Sequence, residues 1–387
     1  MLRAARTAAL MLATTTAVVA GTLAATTAPA TAASPYVVTS AADYTDATPG
    51  DGQCRTSAAT GAVCTLRAAI QEANAGGGAD TIRFAIGSGP VTISPTSELP
   101  LITEPVTIDG FTQPGAGTTP IVHLAGDTVG VNGDGLRLAA SPSSVSGLVF
   151  SKFDVAIFIS GPGGNLVTGN YIGIATDGTT ARGNSYGVVI EKSPDNVIGT
   201  SAGRNVISGN AKAGITVTGA AAKDNEIAGN RIGTNAAGTA TVANLLGITV
   251  LDGALDTRIG GTTDADGNLL SGNVSHGVEV AQAAKGTVVS RNRIGTDAAG
   301  TAALPNRMQG VVAISAAKTT LHANVISGNG ENHGLHEYSV RRPCAQGLGR
   351  MDADEGRGVP AAHDSTSPRK GGEVAGGGFK GQAQLCL

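Results

Sequence analysis

The sequence predicts an all-β solenoid, a stack of coils built from short strands, because two phrases alternate through its middle. One phrase is Gly169-Asn-Tyr-Ile-Gly173, repeated at 229–233 and 291–295, and the other is Asn205-Val-Ile-Ser-Gly-Asn210, repeated at 268–273 and 324–329. The period is about 60 residues, and a fixed period of this size is typical of repeat architectures. Such a chain buries its apolar side chains by stacking neighbouring coils.

Composition supports many thin apolar layers closed by turns. The 387 residues include 57 glycines, no tryptophan and only 3% aromatic residues, so bulky rings cannot fill a core. Charged residues make up 14% and form no basic cluster, which argues against nucleic-acid binding.

The segment 1–33 is typical of a secretory signal peptide. Arg3 and Arg6 precede a run of apolar or small side chains from position 8 to position 25, and Ala30-Thr-Ala32 offers a cleavage site. A membrane anchor is the alternative, although the many threonines and alanines weaken it. We expect a secreted or cell-surface protein with no membrane span in the mature chain.

Export favours a disulfide between Cys54 and Cys64, which would close a short loop. Two free thiols are the alternative. Metal binding is less favoured because no histidine lies nearby in the sequence.

Residues 65–75 are predicted to form an amphipathic helix. Leu66, Ala69, Ile70 and Ala73 make one apolar stripe, with Thr65 as the N-cap and Gly76 as the stop. A helix just before a strand stack can cover the apolar end and the unpaired edges of the first coil, so we interpret it as a cap.

The same segment resembles a known domain. Cys64-Thr-Leu-Arg-Ala-Ala-Ile-Gln-Glu-Ala-Asn74, followed by Asp80-Thr-Ile-Arg-Phe84, is similar to the CSLREA-type N-terminal domain of secreted bacterial proteins, with Thr65 and Ala68 in place of its Ser and Glu. Those proteins commonly continue into right-handed parallel β-helix repeats. The resemblance implies a cap region at 34–98 and a right-handed parallel β-helix at 99–335.

The spacing of apolar triplets, every ~9–12 residues, predicts coils of ~20–22 residues and therefore three coils in each period. Asn170, Asn230 and Asn292 share one repeat position, and Asn210, Asn273 and Asn329 share another. Asparagine can bond along a stack, so we interpret both sets as structural ladders.

The segment 336–387 contains no isoleucine and no asparagine, although both are abundant before it. We expect a disordered tail, and a frameshift near residue 335 would explain its foreign composition.

No spacing places carboxylates together as an acid–base pair or a calcium site, so neither a catalytic residue nor a metal site nor a cofactor is predicted. Asp177, Asn235 and Asp297 are interpreted as equivalent turn residues, and Asp264 with Asp266 as a turn. His276 is interpreted as a surface residue of its repeat.

Aromatic residues are confined to the early coils, and glycan sites commonly stack sugars on aromatic faces. If a ligand groove exists, we expect it around Tyr171, Tyr186, Asp154 and Arg182, although surface solubility alone would also explain these residues.

Three functions remain open. The favoured one is a non-catalytic protein of the cell envelope or extracellular space, acting as a spacer, an adhesin or a weak binder of surface polysaccharide or cell wall. The alternative is a polysaccharide lyase or glycoside hydrolase, which would need two or three carboxylates and a basic residue in one cleft. A degraded gene product without a present role is the third.

Overall fold

A computed structural model describes residues 35–330, 335–338 and 385–386. The expected signal peptide and almost all of the expected tail lie outside the described residues, so export, disorder and the frameshift remain predictions. The strand Leu335–Tyr338 pairs in parallel with Val311–Ile314 and therefore continues the stack.

Three parallel sheets run along the stack, and the chain visits them in turn. Sheet A contains Tyr36–Val38, Asp80–Phe84, Val106–Asp109, Ser144–Ser146, Leu166–Thr168, Val197–Ile198, Glu226–Ile227, Arg258–Gly260, Val288–Ser290 and Thr320–His322, with Leu385–Cys386 added antiparallel. Sheet B contains Val91–Ile93, Val122–Ala125, Leu148–Ser151, Tyr171–Ile172, Val206–Ile207, Arg231–Ile232, Leu269–Leu270, Arg293–Ile294 and Val325–Ile326. Sheet C contains Leu136–Leu138, Val155–Ile159, Tyr186–Glu191, Ala213–Thr218, Leu246–Leu251, Val278–Ala281, Val311–Ile314 and Leu335–Tyr338.

The fold is therefore an all-β parallel β-helix, as the repeats predict. Its core is a column of aliphatic side chains stacked in register: Ile172, Ile207 and Ile232 are fully buried on successive strands of sheet B. Successive residues of a strand face opposite sides, so each strand gives one side to the core and the other to solvent.

The predicted three coils per period are wrong, because one period contains two. Tyr171–Ile172, Val206–Ile207 and Arg231–Ile232 are consecutive strands of sheet B, so the segment from Ile172 to Ile232 makes two coils. Strands of up to six residues in sheet C and long loops after every second strand of sheet B lengthen the coils beyond the estimate.

The asparagines form the predicted ladders, and each ladder has six members. In both ladders the side-chain amide of one asparagine donates to the side-chain oxygen of the next, at 2.8–3.1 Å. One ladder joins Asn170, Asn205, Asn230, Asn268, Asn292 and Asn324, and the other joins Asn184, Asn210, Asn244, Asn273, Asn306 and Asn329.

A third ladder, at the start of the sheet A strands, changes its residue type partway. Asn165, Asn196 and Asn225 are joined in the same manner. The strand register places Thr257, Thr287 and Thr319 next in this row. All three threonines are buried, and their hydroxyls have no hydrogen-bond partner among the described residues.

The predicted helix spans Leu66–Gly76 and begins at the Thr65 N-cap, whose hydroxyl accepts from the Ala68 N–H at 3.1 Å. Leu66, Ala69, Ile70 and Ala73 are buried in the core cluster that includes Val38 and Ile82 of the first sheet A strands. The helix therefore packs against the first coil, and its capping role remains our interpretation.

Two links hold the loops around this helix. Cys54 and Cys64 form the predicted disulfide, with their Cα atoms 5.1 Å apart. Arg67 makes an ion pair with Asp43 at 2.8 Å and also donates to the carbonyl oxygens of Ser97 and Glu98.

In the part of the chain that the structure describes, four short 3-10 helices lie at Ala58–Thr60, Gly110–Thr112, Gly126–Thr128 and Asp264–Asp266. Among the described residues, no helix has both the length and the apolar character needed to cross a bilayer.

Candidate functional site

Three hairpin loops project from alternate coils, each directly after a strand of sheet B. They span residues 174–181, 234–241 and 296–303, and each is closed by an antiparallel bridge between its end residues. The loops also stack on one another, because the Ala236 N–H donates to the Gly178 oxygen and the Ala298 N–H to the Gly238 oxygen. They form a wall beside sheet B.

One residue per strand lies on the outer face of sheet B beside this wall, and we call this row the sheet B lane. In the order of the stack, the strand register assigns Thr92, His123, Val149, Tyr171, Val206, Arg231, Leu269, Arg293 and Val325 to it. Tyr171, Arg231 and Arg293 belong to the loop-bearing coils. Strands two apart are separated by about 10 Å, so these three side chains repeat at that interval.

Asp177, Asn235 and Asp297 are turn residues, as expected, but the expected equivalence holds only for Asn235 and Asp297. Asn235 Oδ1 accepts from the N–H of Thr239 and Ala240, and Asp297 Oδ1 accepts from those of Thr301 and Ala302. Asp177 caps its loop similarly, accepting from Thr179 and Thr180.

The residue equivalent to Asn235, however, is Ala175, because the N–H of Ala175 bonds the Thr180 oxygen as that of Asn235 bonds the Ala240 oxygen. Asp177 thus lies two residues further along its loop.

A groove of about 500 Å³ opens where the first hairpin loop rises above the earlier, loop-free coils. We call it the histidine groove. Its charged and titratable lining residues are His123 and Asp127 from the floor, Asp177 from the first loop and Arg182 directly after that loop. Thr92, Ser94 and Thr180 add hydroxyl groups.

His123 is the half-buried member of this group. Its Nε2 lies 2.8 Å from the Oγ of Ser151, which is fully buried, and its Nδ1 lies 3.5 Å from the Thr92 Oγ1 at the groove surface. Burial lowers the pKa of His123 below its ordinary value, and the charge of Arg182 lowers it further, whereas Asp127 opposes the shift. The imidazole is therefore neutral at neutral pH and can accept a proton.

Asp177 differs in character. Its carboxylate accepts hydrogen bonds from the Thr180 hydroxyl at 2.6 Å and from the N–H groups of Thr180 and Thr179, which lower its pKa to about 2. It stays ionised at any physiological pH and cannot donate a proton to a substrate. Asp177 therefore fixes the loop and adds negative charge at the groove rim.

Arg182 occupies a position that is aliphatic in the other two loops. The N–H of Arg182, Val242 and Leu304 each bond the glycine oxygen that follows the sheet B strand. Val242 is buried in a small outer cluster with Ile174 and Val206, whereas Arg182 is exposed and lines the histidine groove. It makes no ion pair among the described residues, so its guanidinium is available to an anion.

The structure distributes the four expected ligand residues over three places. Arg182 lines the histidine groove, and Tyr171 lines a second groove at the corner between sheets A and B. Asp154 and Tyr186 are neighbours where two adjacent strands of sheet C begin, and the Tyr186 backbone N–H donates to the Asp154 carbonyl oxygen at 2.7 Å. The Lys212 ammonium lies 4.5 Å from the centre of the Tyr186 ring.

His123 and Asp127 were not predicted from the sequence. His123 interrupts the aliphatic strand Val122–Ala125 at an outward position, and this interruption is the one local signal that could have identified it. The strand precedes the recognisable repeats, so no repeat comparison draws attention to it.

Within residues 35–330, no group of three or more histidine, cysteine, aspartate or glutamate side chains is arranged to hold a metal ion.

The sequence matches no protein-family model and no curated protein. Among solved structures, a mutant of the periplasmic alginate epimerase AlgG is similar at 14% identity and a TM-score of 0.42, covering 70% of this chain and 60% of that one. The A-module of mannuronan C-5 epimerase AlgE4 from Azotobacter vinelandii is similar at 16% identity and a TM-score of 0.42, covering 68% and 74%. Pectate lyase Pel9A is similar at 15% identity and a TM-score of 0.34, covering 76% and 80%.

The chain thus spans 60% of the length of the AlgG structure. Its three parallel sheets make it a parallel β-helix protein, an architecture that these epimerases and this lyase share.

Proposed function

We propose that this protein is a secreted or cell-surface enzyme that acts on an acidic polysaccharide, a lyase that uses the histidine groove. The observation that carries the proposal is the convergence of His123, Asp127, Asp177 and Arg182 in one groove. The sequence favoured a non-catalytic protein because no such convergence could be found by spacing. Two carboxylates with a basic residue in one cleft is the arrangement that the enzyme alternative requires.

The chemistry of the groove favours elimination over hydrolysis. Hydrolysis of a glycoside ordinarily needs a carboxylic acid that donates a proton and a second carboxylate that acts as base or nucleophile. Asp177 cannot serve as that acid, because its pKa is held at about 2 by its loop hydrogen bonds. A neutral histidine beside an unpaired arginine is suited instead to removing a proton next to a carboxylate.

In the proposed reaction, the Arg182 guanidinium binds the carboxylate of a uronate residue and stabilises the negative charge that develops there. His123 removes the proton at C5, and the electron pair forms a double bond between C4 and C5 as the bond from C4 to the glycosidic oxygen breaks. The imidazolium then returns its proton to the departing oxygen. In this reaction the Nε2–H of His123 donates to the Ser151 Oγ, so the Nδ1 lone pair faces the groove and acts as the base.

Full-length protein incubated with polymannuronate, polyguluronate, pectate or hyaluronan should release unsaturated uronates, which absorb in the ultraviolet. His123→Ala should lower the rate by about 10²–10⁴-fold, since a general base contributes that much. His322→Ala, in a different groove, is the matched control and should keep the full rate.

The same reactions run in D₂O separate the possible outcomes. Deuterium at C5 without chain cleavage would show proton abstraction without elimination and would replace the lyase assignment by an epimerase. Neither cleavage nor exchange on any of these polymers, from a folded protein, would overturn the enzymatic proposal and leave the non-catalytic function. Equal rates for His123→Ala and the parent protein would refute the choice of base.

A further inference from the structure

The second groove, which we call the corner groove, lies where sheet A turns into sheet B and has a volume of about 420 Å³. It contains two arginines, Arg204 and Arg231, and a largely apolar wall. Phe111, Pro120, Tyr171 and Val206 are the main apolar members of that wall. The reaction proposed for the histidine groove uses none of these residues.

Arg231 has an unusual environment for a cation. Its side chain is partly buried, and within the described residues its guanidinium donates no hydrogen bond and makes no ion pair. Burial lowers its pKa, and the positive charge of Arg204 lowers it further. A desolvated guanidinium beside a like charge is unfavourable unless an anion binds it.

Arg204 is held in place by the protein backbone. Its guanidinium donates to the carbonyl oxygens of Gly229 at 3.0 Å and Ala265 at 3.2 Å. The nearby Asp266 carboxylate is bonded by Thr263 and makes no ion pair with Arg204 within 4.0 Å, although the charge of Arg204 contributes to its lowered pKa. Both arginines therefore keep N–H donors for an external anion. Carboxylates accept such charge-assisted hydrogen bonds from guanidinium groups well.

The apolar wall adds a second requirement for the ligand. Tyr171 is half-exposed and lies on the sheet B lane, with burial raising its pKa so that the phenol stays neutral. A neutral aromatic ring beside other apolar side chains provides a flat surface for the C–H faces of a sugar. A small inorganic anion would leave this wall unused.

We propose that the corner groove binds a carboxylated sugar residue, with its carboxylate held by Arg204 and Arg231 and its ring against Tyr171. The choice of an acidic polysaccharide as ligand rests on the function proposed above. Tyr171 lies two strands from His123 in sheet B, or about 10 Å. One polymer chain can therefore reach both grooves, and the corner groove would hold it during repeated reactions.

The test uses the full-length chain carrying His123→Ala, so that bound oligosaccharide is not consumed. Binding of uronate oligomers and of neutral gluco-oligomers of equal length is measured by titration calorimetry. Arg231→Gln should weaken uronate binding about tenfold or more, the value of one charge-assisted hydrogen bond. Arg293→Gln is the matched control, because it removes the same charge from the same repeat position outside the groove, and it should change affinity less than about twofold.

Both variants should unfold at temperatures no lower than the parent, which excludes misfolding. Neutral oligomers should not bind, and uronate binding should weaken with salt. Equal effects of Arg231→Gln and Arg293→Gln, or equal affinity for neutral and acidic oligomers, would overturn the inference. Cleavage by the parent protein with unchanged binding by Arg231→Gln would refute this site and leave the proposed enzyme intact. Uronate binding that depends on Arg231, with no product from the parent protein, would support this site and overturn the proposed enzyme.

Discussion

The asparagine ladders allow the cost of one substitution to be worked out bond by bond. The oxygen of the Asn268 side chain accepts from the backbone N–H and the side-chain amide of Asn230, at 2.9 and 3.0 Å. Its amide donates to the Ile227 oxygen at 2.7 Å and to the Asn292 oxygen at 2.9 Å. Asn268→Ala removes all four hydrogen bonds from a buried position.

Three groups then lose a partner, because the Asn292 oxygen still accepts from the Asn268 backbone N–H at 3.0 Å. Each buried polar group left unsatisfied costs about 1–3 kcal/mol. The carbonyl of Ile227 lies at the low end, since it has a second lone pair. We expect a loss of about 3–7 kcal/mol, a large part of the 5–15 kcal/mol or so that stabilises a typical protein.

The free energy of unfolding is measured by urea titration with circular dichroism as the signal. Hydrogen exchange is measured at the backbone N–H of Asn230. Asn235→Ala is the control, because it makes the same chemical change in an exposed loop and should cost about 1 kcal/mol, like a lost cap. A loss below about 1 kcal/mol for Asn268→Ala, or an unchanged exchange rate at Asn230, would show that the ladder is not a major source of stability.

Three further predictions follow from buried or linked groups. Thr287→Val removes a hydroxyl without a hydrogen-bond partner and should stabilise the protein by about 1 kcal/mol in the same urea assay. Thr249→Val, the control, breaks a 3.0 Å hydrogen bond to Thr216 and should destabilise the protein. A loss of stability for Thr287→Val would show that its hydroxyl has a partner. Replacing both Cys54 and Cys64 with serine should cost about 2–3 kcal/mol, and mass spectrometry of unreduced protein should find the linked peptides. Free thiols at both positions in the unreduced protein would end this claim. NMR should show that the pKa of His123 lies below the ordinary value of about 6.5, and Arg182→Gln should raise this pKa. Because the folded-state pKa is lowered, His123 should reduce the stability of the protein as pH falls below about 6.5. An unchanged pKa in Arg182→Gln would argue against the effect of the Arg182 charge on His123.

The architecture could be predicted because its signals are local and repeated. An aliphatic residue two positions after an asparagine recurs in the repeats and is buried in five consecutive coils, as Ile172, Ile207, Ile232, Leu270 and Ile294, and the ladder asparagines follow directly from that register. The number of coils could not be predicted the same way. Ile174 and Val242 lie in or beside the hairpin loops and pack on the outer face, yet in the sequence they are indistinguishable from core strand residues.

The error in coil length also explains the incomplete prediction of the site. Alternation correctly placed Tyr171 opposite the buried Ile172, but the grouping of Tyr171 with Arg182, Asp154 and Tyr186 assumed that residues close in sequence share one groove. Arg182 follows a long loop that carries it to the other side of the sheet B lane. His123 comes near it only through the stacking of coils that are distant in sequence, which no local pattern records.

The alternation of loop-bearing and loop-free coils has a consequence for the length of the lane. The repeating unit of this protein is a pair of coils. One unit supplies a hairpin loop, two rungs for each of the two long asparagine ladders and one long side chain on the lane. Adding or removing one unit would leave both long asparagine ladders continuous across the junction. The sheet B lane could thereby be lengthened or shortened in steps of about 10 Å without altering the histidine groove.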